Sequence, residues 1–236
     1  MSDTSRHRAG DSAELSRALS EGPLVTEGPG LLVMDVDSTL IEQEVIELIA
    51  ERAGTRELVA EVTARAMRGE LDFAASLRER VATLAGVSQE VFAEVLAEVR
   101  PTEGAAELIE ALHARGCRVG VVSGGFEEVV VPLAERLGID HVAANRLEVV
   151  EGRLTGRVLG RIVDRQEKVR CLRTWAQQDG VPMERTIAVG DGANDLGMLE
   201  AAGLGVAFCA KPVVVEQADA AIHVRDLRAV LQLIGG

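Results

Sequence analysis

Two carboxylates that stand two residues apart, Asp35 and Asp37, could share one chemical site. They follow the apolar run Leu31–Met34, whose continuous hydrophobicity is typical of a strand buried on both faces. Side chains two residues apart on an extended chain lie on the same face, so both carboxylates can point into one space. Ligands of an open α/β sheet bind beyond the carboxyl ends of its strands, and the pair therefore indicates a site. From the pair alone, a polar loop after a core strand is an equal alternative.

A second cluster, Ser123, Gly124 and Gly125, follows the apolar segment 117–122 and precedes a predicted helix. Glycines let a backbone approach a ligand closely, and N–H groups at the start of a helix attract anions. The same three residues more often form an ordinary turn. Lys168 stands near the start of a further predicted helix, where a lysine is more often a solvated surface charge than part of a site.

A fourth cluster follows the apolar segment 186–189 and places Asp191, Asn194 and Asp195 within five positions. Gly190 and Gly192 flank Asp191, as in a calcium-binding loop, but the spacing and the distal glutamate of an EF-hand are missing. All four clusters stand at a predicted strand end or helix start. Ordinary loops explain this coincidence much less well than they explain any one cluster, so a common site is the better interpretation.

The elements that must bring these clusters together alternate between strand and helix. This alternation predicts an α/β fold with a doubly wound parallel sheet. Residues 141–158 predict a β-hairpin flap with its turn at 151–153, and residues 24–26 predict a short additional strand. The predicted core strands are residues 31–34, 117–122, 186–189, 204–208 and 220–224.

The hydrophobic period changes from that of a strand to that of a helix after the first motif, and residues 45–100 predict a small helical cap domain. Gly54 is expected to end its first helix, and Thr55 to cap the second. Such an insert is either decoration or a lid, and a lid is favoured because its ends lie beside Asp37 and Glu44. The predicted organisation is a flexible leader at 1–23, an α/β core at 24–44 and 101–236, and the cap at 45–100.

The composition restricts the classes of protein that remain. A chain of 236 residues can form one large domain, or a core with a small insert. The net charge of −13 lacks the electrostatic signature of nucleic-acid binding, so an anionic substrate needs positive charge from a metal, a lysine or helix N-termini. No apolar run is long enough to span a membrane, and no signal peptide is evident. The three cysteines form no Cys-x-x-Cys pair, which favours a reducing compartment; we expect a cytoplasmic protein, either a monomer or a homodimer.

Together, the four clusters resemble the four motifs of the haloacid-dehalogenase (HAD)-like phosphohydrolases. From about residue 30 to its end, the chain resembles the phosphoserine phosphatase family within that superfamily. The resemblance implies a Rossmann-like core with a helical cap inserted after its first strand. It is carried by DVDSTLIEQE at 35–44, RAMRGELDF at 65–73, SLRERV at 76–81, SGGF at 123–126 and GDGAND at 190–195.

The resemblance also implies the chemistry of the acidic clusters. Asp35 is the expected nucleophile, which attacks phosphorus in line and forms an aspartyl-phosphate. Asp37 is the expected general acid for the leaving oxygen and then the general base for the hydrolytic water. Hard oxygen ligands favour Mg²⁺, which the resemblance assigns to Asp35, the Asp37 carbonyl group and Asp191.

The other clusters are expected to hold the transferred phosphoryl group. The resemblance gives this role to Ser123, the Gly124 N–H group and Lys168. Around them, Asn194 is expected beside the substrate, and Gly125 and Asp195 are expected to support the site. Asp195 would orient Lys168 or a water on the metal.

The implied substrate, O-phospho-L-serine, also carries an ammonium and a carboxylate group. Glu44 is expected to pair with the ammonium, and Arg80 to bind the carboxylate through two hydrogen bonds. Both could instead be ordinary residues of a helix surface. Met67 and Phe73 are expected to close the cap and exclude water, although core packing explains these two nearly as well.

The activity implied by the resemblance is Mg²⁺-dependent hydrolysis of phosphoserine, the last step of serine biosynthesis. One alternative is a related HAD phosphatase or phosphotransferase that acts on another small phosphomonoester. The second alternative is a non-catalytic binding protein on a phosphatase fold. The presence of Asp35, Asp37, Lys168 and Asp191 argues against this second alternative.

Overall fold

A computed structural model describes residues 22–235, with the exception of the Met67 side chain. The predicted leader at 1–23 therefore lies outside the described residues, apart from its last two positions. The first half of the chain contains α1 Pro23–Thr26, β1 Leu31–Met34, α2 Val45–Ala53, α3 Arg56–Met67, α4 Phe73–Ala82, α5 Val91–Glu98 and α6 Ala105–Ala114. The second half contains β2 Arg118–Phe126, α7 Glu127–Leu137, β3 His141–Val150, β4 Arg153–Leu159, α8 Arg165–Gln178, β5 Thr186–Gly190, α9 Leu196–Ala201, β6 Leu204–Phe208, α10 Pro212–Val215, β7 Ala220–Ile222 and α11 Ala229–Leu233.

The strands form one seven-stranded sheet in the order β4-β3-β2-β1-β5-β6-β7. Only β4 runs antiparallel to its neighbour, and the other adjacent pairs are parallel. The sheet changes direction of winding at β1, which lies between β2 and β5. The predicted doubly wound α/β fold is confirmed, and the switch point of the sheet coincides with the first acidic cluster.

Strand β1 is buried on both faces, as its continuous hydrophobicity predicts. Leu32 and Met34 belong to the core cluster on one face of the sheet, and Leu31 and Val33 belong to the cluster on the other. The strand is therefore a fixed support for the residues that follow it. Within the described residues, no helix is long and apolar enough to cross a membrane.

Three local predictions are wrong. Residues 24–26 are helical rather than extended, because Pro23 occupies the first turn and the N–H groups of Val25 and Thr26 donate to the Gly22 carbonyl. Strand β2 does not end at residue 122 but continues to Phe126, with a register shift against β3. At the other edge, β7 ends at Ile222 rather than at residue 224.

The start of the cap combines a correct and an incorrect prediction. Gly54 ends α2 with a φ of 70°, the left-handed conformation that glycine favours. Thr55 precedes α3, but its side chain makes no capping hydrogen bond. Its hydroxyl group is buried without a partner. The prediction that the Thr55 side chain caps the N-terminus of α3 is therefore wrong.

The two ends of the 45–100 segment are joined where it leaves and re-enters the core. The Glu42 N–H donates to the Arg100 carbonyl at 3.1 Å, and the Gln43 side-chain oxygen accepts from the Arg100 N–H at 3.0 Å. Next to them, the Thr102 N–H donates to the Leu40 carbonyl at 2.8 Å. The four helices α2 to α5 thus begin and end beside the carboxyl end of β1.

The predicted hairpin is confirmed, and it contacts the cap helices directly. Glu151 and Gly152 form its turn with φ values of 50° and 76°, which match the twist of paired strands. The outer side of β4 is hydrogen-bonded to the loop after α4: Gly86 N–H donates to the Leu154 carbonyl at 2.8 Å, and the Leu154 N–H donates to the Val87 carbonyl at 2.9 Å. The hairpin and the cap therefore share a continuous backbone network.

Candidate active site

Asp35 and Asp37 emerge from β1 into one cavity of about 180 Å³. The Asp35 N–H still belongs to the sheet, since it donates to the Val189 carbonyl of β5 at 3.0 Å. The chain then enters the irregular turn Val36–Leu40, and Oδ1 of Asp37 accepts from the N–H of Val45, the first residue of α2. The shared space expected for the two carboxylates is present.

The loop after β5 adds two more carboxylates to this end of the sheet. Oxygens of Asp35, Asp191 and Asp195 lie within 4.8 Å of one another. Gly190 allows this approach, because a Cβ atom there would stand only 2.5 Å from Cγ of Asp195. Oδ2 of Asp195 accepts from the Gly192 N–H at 3.0 Å, which fixes its orientation.

Lys168 lies at the centre of this acidic cluster. Its Nζ donates to Oδ1 of Asp35 and to Oδ1 of Asp195, both at 2.6 Å. The side chain is fully buried, so the interpretation as a solvated surface charge is wrong. Helix α8 delivers it from its first turn, where Asp164 caps the helix by accepting from the Glu167 N–H.

The electrostatics of the cluster favour an additional cation. Burial alone would lower the pKa of Lys168, but the carboxylates of Asp195 and Asp35 raise it above its ordinary value. Burial raises the pKa of Asp35 well above its usual range, and that of Asp191 to about 6. One ammonium group does not balance three buried or half-buried carboxylates. Carboxylate oxygens in this arrangement fit a hard divalent cation.

Asp37 has the environment of a proton donor. Burial, followed by the charge of Glu44, raises the pKa of Asp37 to about 7. Its Oδ2 lies 2.9 Å from the position that a Cβ atom on residue 125 would occupy. Gly125 is therefore needed for the close approach of β2 to this carboxyl group.

The Ser123–Gly125 segment lies within the extended end of β2, with the Ser123 side chain fully buried. Oγ of Ser123 accepts from the Gly125 N–H at 2.8 Å. Asn145 of β3 supports the segment, since its amide donates to the Gly124 carbonyl at 2.8 Å and accepts from the Val163 N–H at 2.9 Å. Sequence reasoning gave Asn145 no part in the site, and its only signal was a polar side chain within a predicted strand.

The cap lines the cavity with Phe73 and Arg80, together with apolar side chains, and Glu44 lines it from the position just before the cap. Arg80 has no ion-pair partner among the described side chains, and its Nε donates only to the Ser76 carbonyl at 3.4 Å. Burial lowers the pKa of Arg80. Phe73 lies against Gly124, because its Cζ would be 3.0 Å from a Cβ atom there. The Met67 side chain lies outside what the structure describes.

The cavity lining contains nine of the predicted site residues and four residues that were not predicted to belong to the site. The predicted residues are Asp35, Asp37, Glu44, Phe73, Arg80, Gly124, Gly125, Asp191 and Asn194, and the others are Ile46, Leu77, Gly192 and Lys211. Ser123, Lys168 and Asp195 lie behind this wall with fully buried side chains. Lys211 also lines the cavity, and it follows β6 in a segment where no motif was recognised.

The fold is that of a known class of enzyme. The family model described as haloacid dehalogenase-like hydrolase matches residues 32–200, and the chain belongs to this family. Phosphoserine phosphatases are similar to it over most of its length. The phosphoserine phosphatase of Streptomyces coelicolor is 61% identical over 205 residues, which are 87% of this chain and 50% of that protein.

Two further similarities cover nearly the whole of the other protein. The phosphoserine phosphatase of Streptococcus thermophilus is 53% identical over 210 residues, 89% of this chain and 98% of that protein. A solved structure described as a phospho-aspartyl intermediate analogue of phosphoserine phosphatase is 46% identical, with a TM-score of 0.81. The similarity covers 86% of this chain and 98% of the chain in that structure. The family resemblance inferred from the motifs is confirmed.

Proposed function

We propose that this chain is a phosphoserine phosphatase, which hydrolyses O-phospho-L-serine to L-serine and inorganic phosphate. The observation that carries the proposal is a single cavity lined by Asp35 and Asp37 together with Glu44 and Arg80, and Arg80 has no ion-pair partner among the described side chains. The two aspartates match the phosphoryl group and its leaving oxygen. Glu44 and Arg80 match the ammonium and carboxylate groups of the substrate. The relatives at 53% and 61% identity support the same assignment.

Asp35 is the proposed nucleophile. Its Oδ1 is held by Lys168, whereas its Oδ2 has no hydrogen-bond partner among the described residues. Attack of Oδ2 on phosphorus forms an aspartyl-phosphate, while the bond between phosphorus and the serine oxygen breaks. Asp37 donates its proton to the departing oxygen, and its pKa of about 7 suits a group that must give and take protons near neutral pH.

The second step regenerates Asp35. The Asp37 carboxylate takes a proton from a water molecule, whose oxygen attacks phosphorus. The bond between phosphorus and the Asp35 oxygen then breaks, and inorganic phosphate leaves. Asp37 therefore acts in both steps, in opposite protonation states.

Two buried groups retain donors for the phosphoryl oxygens. Lys168 has three N–H donors, of which Asp35 and Asp195 use two. The Ser123 oxygen accepts from Gly125, so its own hydrogen remains available. Together with the Gly124 N–H, these donors are proposed to neutralise the developing charge. Asn194 is proposed to contact the substrate from the other side.

Mg²⁺ is the proposed cofactor, held by Asp35, the Asp37 carbonyl group and Asp191. Two observations support this assignment. Three carboxylates cluster here, and the pKa values of two of them, Asp35 and Asp191, are raised. The ion would supply positive charge to the phosphoryl group and lower the repulsion between that group and Asp35. Asp195 is proposed to act mainly through Lys168, with which it shares a hydrogen bond.

The 45–100 segment is proposed to be a cap that closes over the substrate, with Met67 and Phe73 excluding water. The contact of Phe73 with Gly124 supports this role for Phe73. The reaction is proposed to be the last step of serine biosynthesis and to take place in the cytoplasm. The three cysteines are free, which is compatible with a reducing compartment.

A phosphate-release panel tests the proposed function. The full-length chain is incubated with Mg²⁺ and equal concentrations of O-phospho-L-serine, O-phospho-L-threonine, phosphoethanolamine and sugar phosphates. We expect phosphoserine to give the highest kcat/KM. A higher kcat/KM for a sugar phosphate, or no turnover of any phosphomonoester, would refute the proposal.

A further inference from the structure

Ser38 is a residue of the first motif to which the mechanism above gives no role. It directly follows Asp37 and has a φ of 58° and a ψ of 4°, in the left-handed region. This region is uncommon for a residue with a Cβ atom, and such conformations persist where the surrounding structure imposes them. Contacts of Ser38 with the surrounding structure must therefore impose this conformation.

Both the backbone and the side chain of Ser38 form hydrogen bonds that hold the residue in place. Its carbonyl oxygen accepts from Nη1 of Arg225 at 3.1 Å, and its N–H donates to the Gln43 carbonyl at 3.3 Å. The Arg225 guanidinium also lies 6.0 Å from the centre of the Phe208 ring, at the end of β6. The turn is thus tied to the core on one side and to the start of the cap on the other.

The side chain of Ser38 is directed at Glu44. Its hydroxyl group donates to Oε1 of Glu44 at 2.8 Å. Glu44 lines the cavity beside Asp37, and no cationic side chain among the described residues forms an ion pair with it. With Oε1 engaged by Ser38, the carboxylate has a fixed orientation, and Oε2 stays available for another donor.

We propose that Ser38 is a positioning residue that orients Glu44 toward the ammonium group of the substrate. This inference rests on the proposed function, because that function supplies the ammonium group. The left-handed turn is the means by which a residue adjacent to Asp37 can reach Glu44, six positions further along the chain. Selectivity for phosphomonoesters that carry an amine then depends on one hydroxyl group that itself touches no substrate.

Two substitutions separate the hydroxyl group from the backbone conformation. Ser38→Ala and Ser38→Gly both remove the hydrogen bond to Glu44. Only glycine relieves the left-handed strain, so the glycine variant should have the higher melting temperature of the two. We expect both variants to raise the KM for phosphoserine by about tenfold, the value of one hydrogen bond to a charged group, with kcat changed less than about twofold.

A matched ligand tests whether the effect concerns the amine. In 3-phosphoglycerate a hydroxyl group replaces the ammonium of phosphoserine, and the carboxylate and phosphate remain. We expect its Ki against p-nitrophenyl phosphate hydrolysis to be the same in the wild type and in both variants. In addition, Ser38→Gly should change the KM for phosphoserine by less than about twofold in a Glu44→Gln background, because the two residues act as one unit.

Each outcome of these measurements decides the proposal. An unchanged KM for phosphoserine, an equal loss for both ligands, a KM effect in the alanine variant alone, or full additivity with Glu44→Gln would overturn it. These results are distinct from a failure of the proposed function, which would appear as absent phosphoserine turnover in the wild type.

Discussion

Arg80 offers a prediction in which binding and stability change in different directions. Its guanidinium is half-buried in the cap wall, and within the described part of the chain no carboxylate pairs with it. The folded protein therefore bears the cost of desolvating Arg80 without an internal ion pair to offset it. We expect the substrate carboxylate to supply the missing partner, so Arg80→Ala should impair the reaction while leaving the fold intact.

The expected sizes of the two effects, on kcat/KM and on the melting temperature, follow from the substrate-bound protein and the free protein, respectively. Removing one partner of a buried, hydrogen-bonded charge pair costs about 2–5 kcal/mol, so kcat/KM for phosphoserine should fall by at least about 30-fold. Without the charge, the free protein loses a desolvation penalty and no salt bridge. Its melting temperature should therefore stay within about 2 °C of the wild type or rise.

The assay compares phosphoserine with phosphoethanolamine, which keeps the amine and the phosphate but has no carboxylate. We expect Arg80→Ala to change kcat/KM for phosphoethanolamine by less than about threefold. Arg65→Ala is the matched control in the same cap, because Arg65 is already paired with Glu79 at 2.6 Å. We expect Arg65→Ala to leave the ratio of kcat/KM between the two substrates unchanged. Equal losses on both substrates with Arg80→Ala, or a large drop in melting temperature, would show that Arg80 is structural.

Three further predictions concern the acidic cluster. Asp37→Asn should give a burst of about one nitrophenol per site from p-nitrophenyl phosphate, because that leaving group needs little protonation. Hydrolysis of the Asp35 phosphate should slow by roughly 10²–10⁴-fold. Mass spectrometry after an acid quench should find phosphate on the Asp35 peptide, and phosphate on Ser38 instead would contradict the assignment. Activity should vanish in excess chelator, return with Mg²⁺, and be inhibited by Ca²⁺, whose looser coordination spoils the attack geometry; full turnover in chelator would rule out the metal site. Lys168→Met should destabilise the metal-free protein by about 3–5 kcal/mol at pH 8, because Asp35 and Asp195 stay buried without their partner. Burial already raises the pKa of Asp35 above its ordinary value, and removal of the Lys168 charge raises it further. The loss should therefore shrink as the pH falls towards 5 and Asp35 takes up a proton; urea unfolding that shows equal losses at pH 8 and pH 5 would contradict this account.

The parts of the fold with strong local patterns were predictable from the sequence. The bounds of β1 and β6 match the predictions, because each is an apolar run between clear breaks. The end of β2 was not predictable in the same way. Ser-Gly-Gly has the composition of a turn, and only pairing with Asn145, about twenty residues later in the chain, keeps Phe126 in the sheet.

The site shows the same division between local and distant information. The motifs identified which residues matter, but the sequence around Lys168 gave no sign that its side chain is buried. That burial depends on Asp35, which is 133 residues away in the chain. Lys211 was missed because it stands outside any motif and reaches the cavity only through the path of the loop after β6.

The hydrogen bonds between the loop after α4 and the outer side of β4 also bear on how the sheet ends. β4 is an edge strand, and an edge with free N–H and C=O groups invites pairing with a second molecule. The loop occupies this edge at Leu154, and the Gln89 N–H extends the cover to the Gly152 carbonyl at 2.9 Å. The loop thus covers part of this edge, and we expect a chimera that exchanged the cap helices without this loop to leave the edge free to pair with a second molecule.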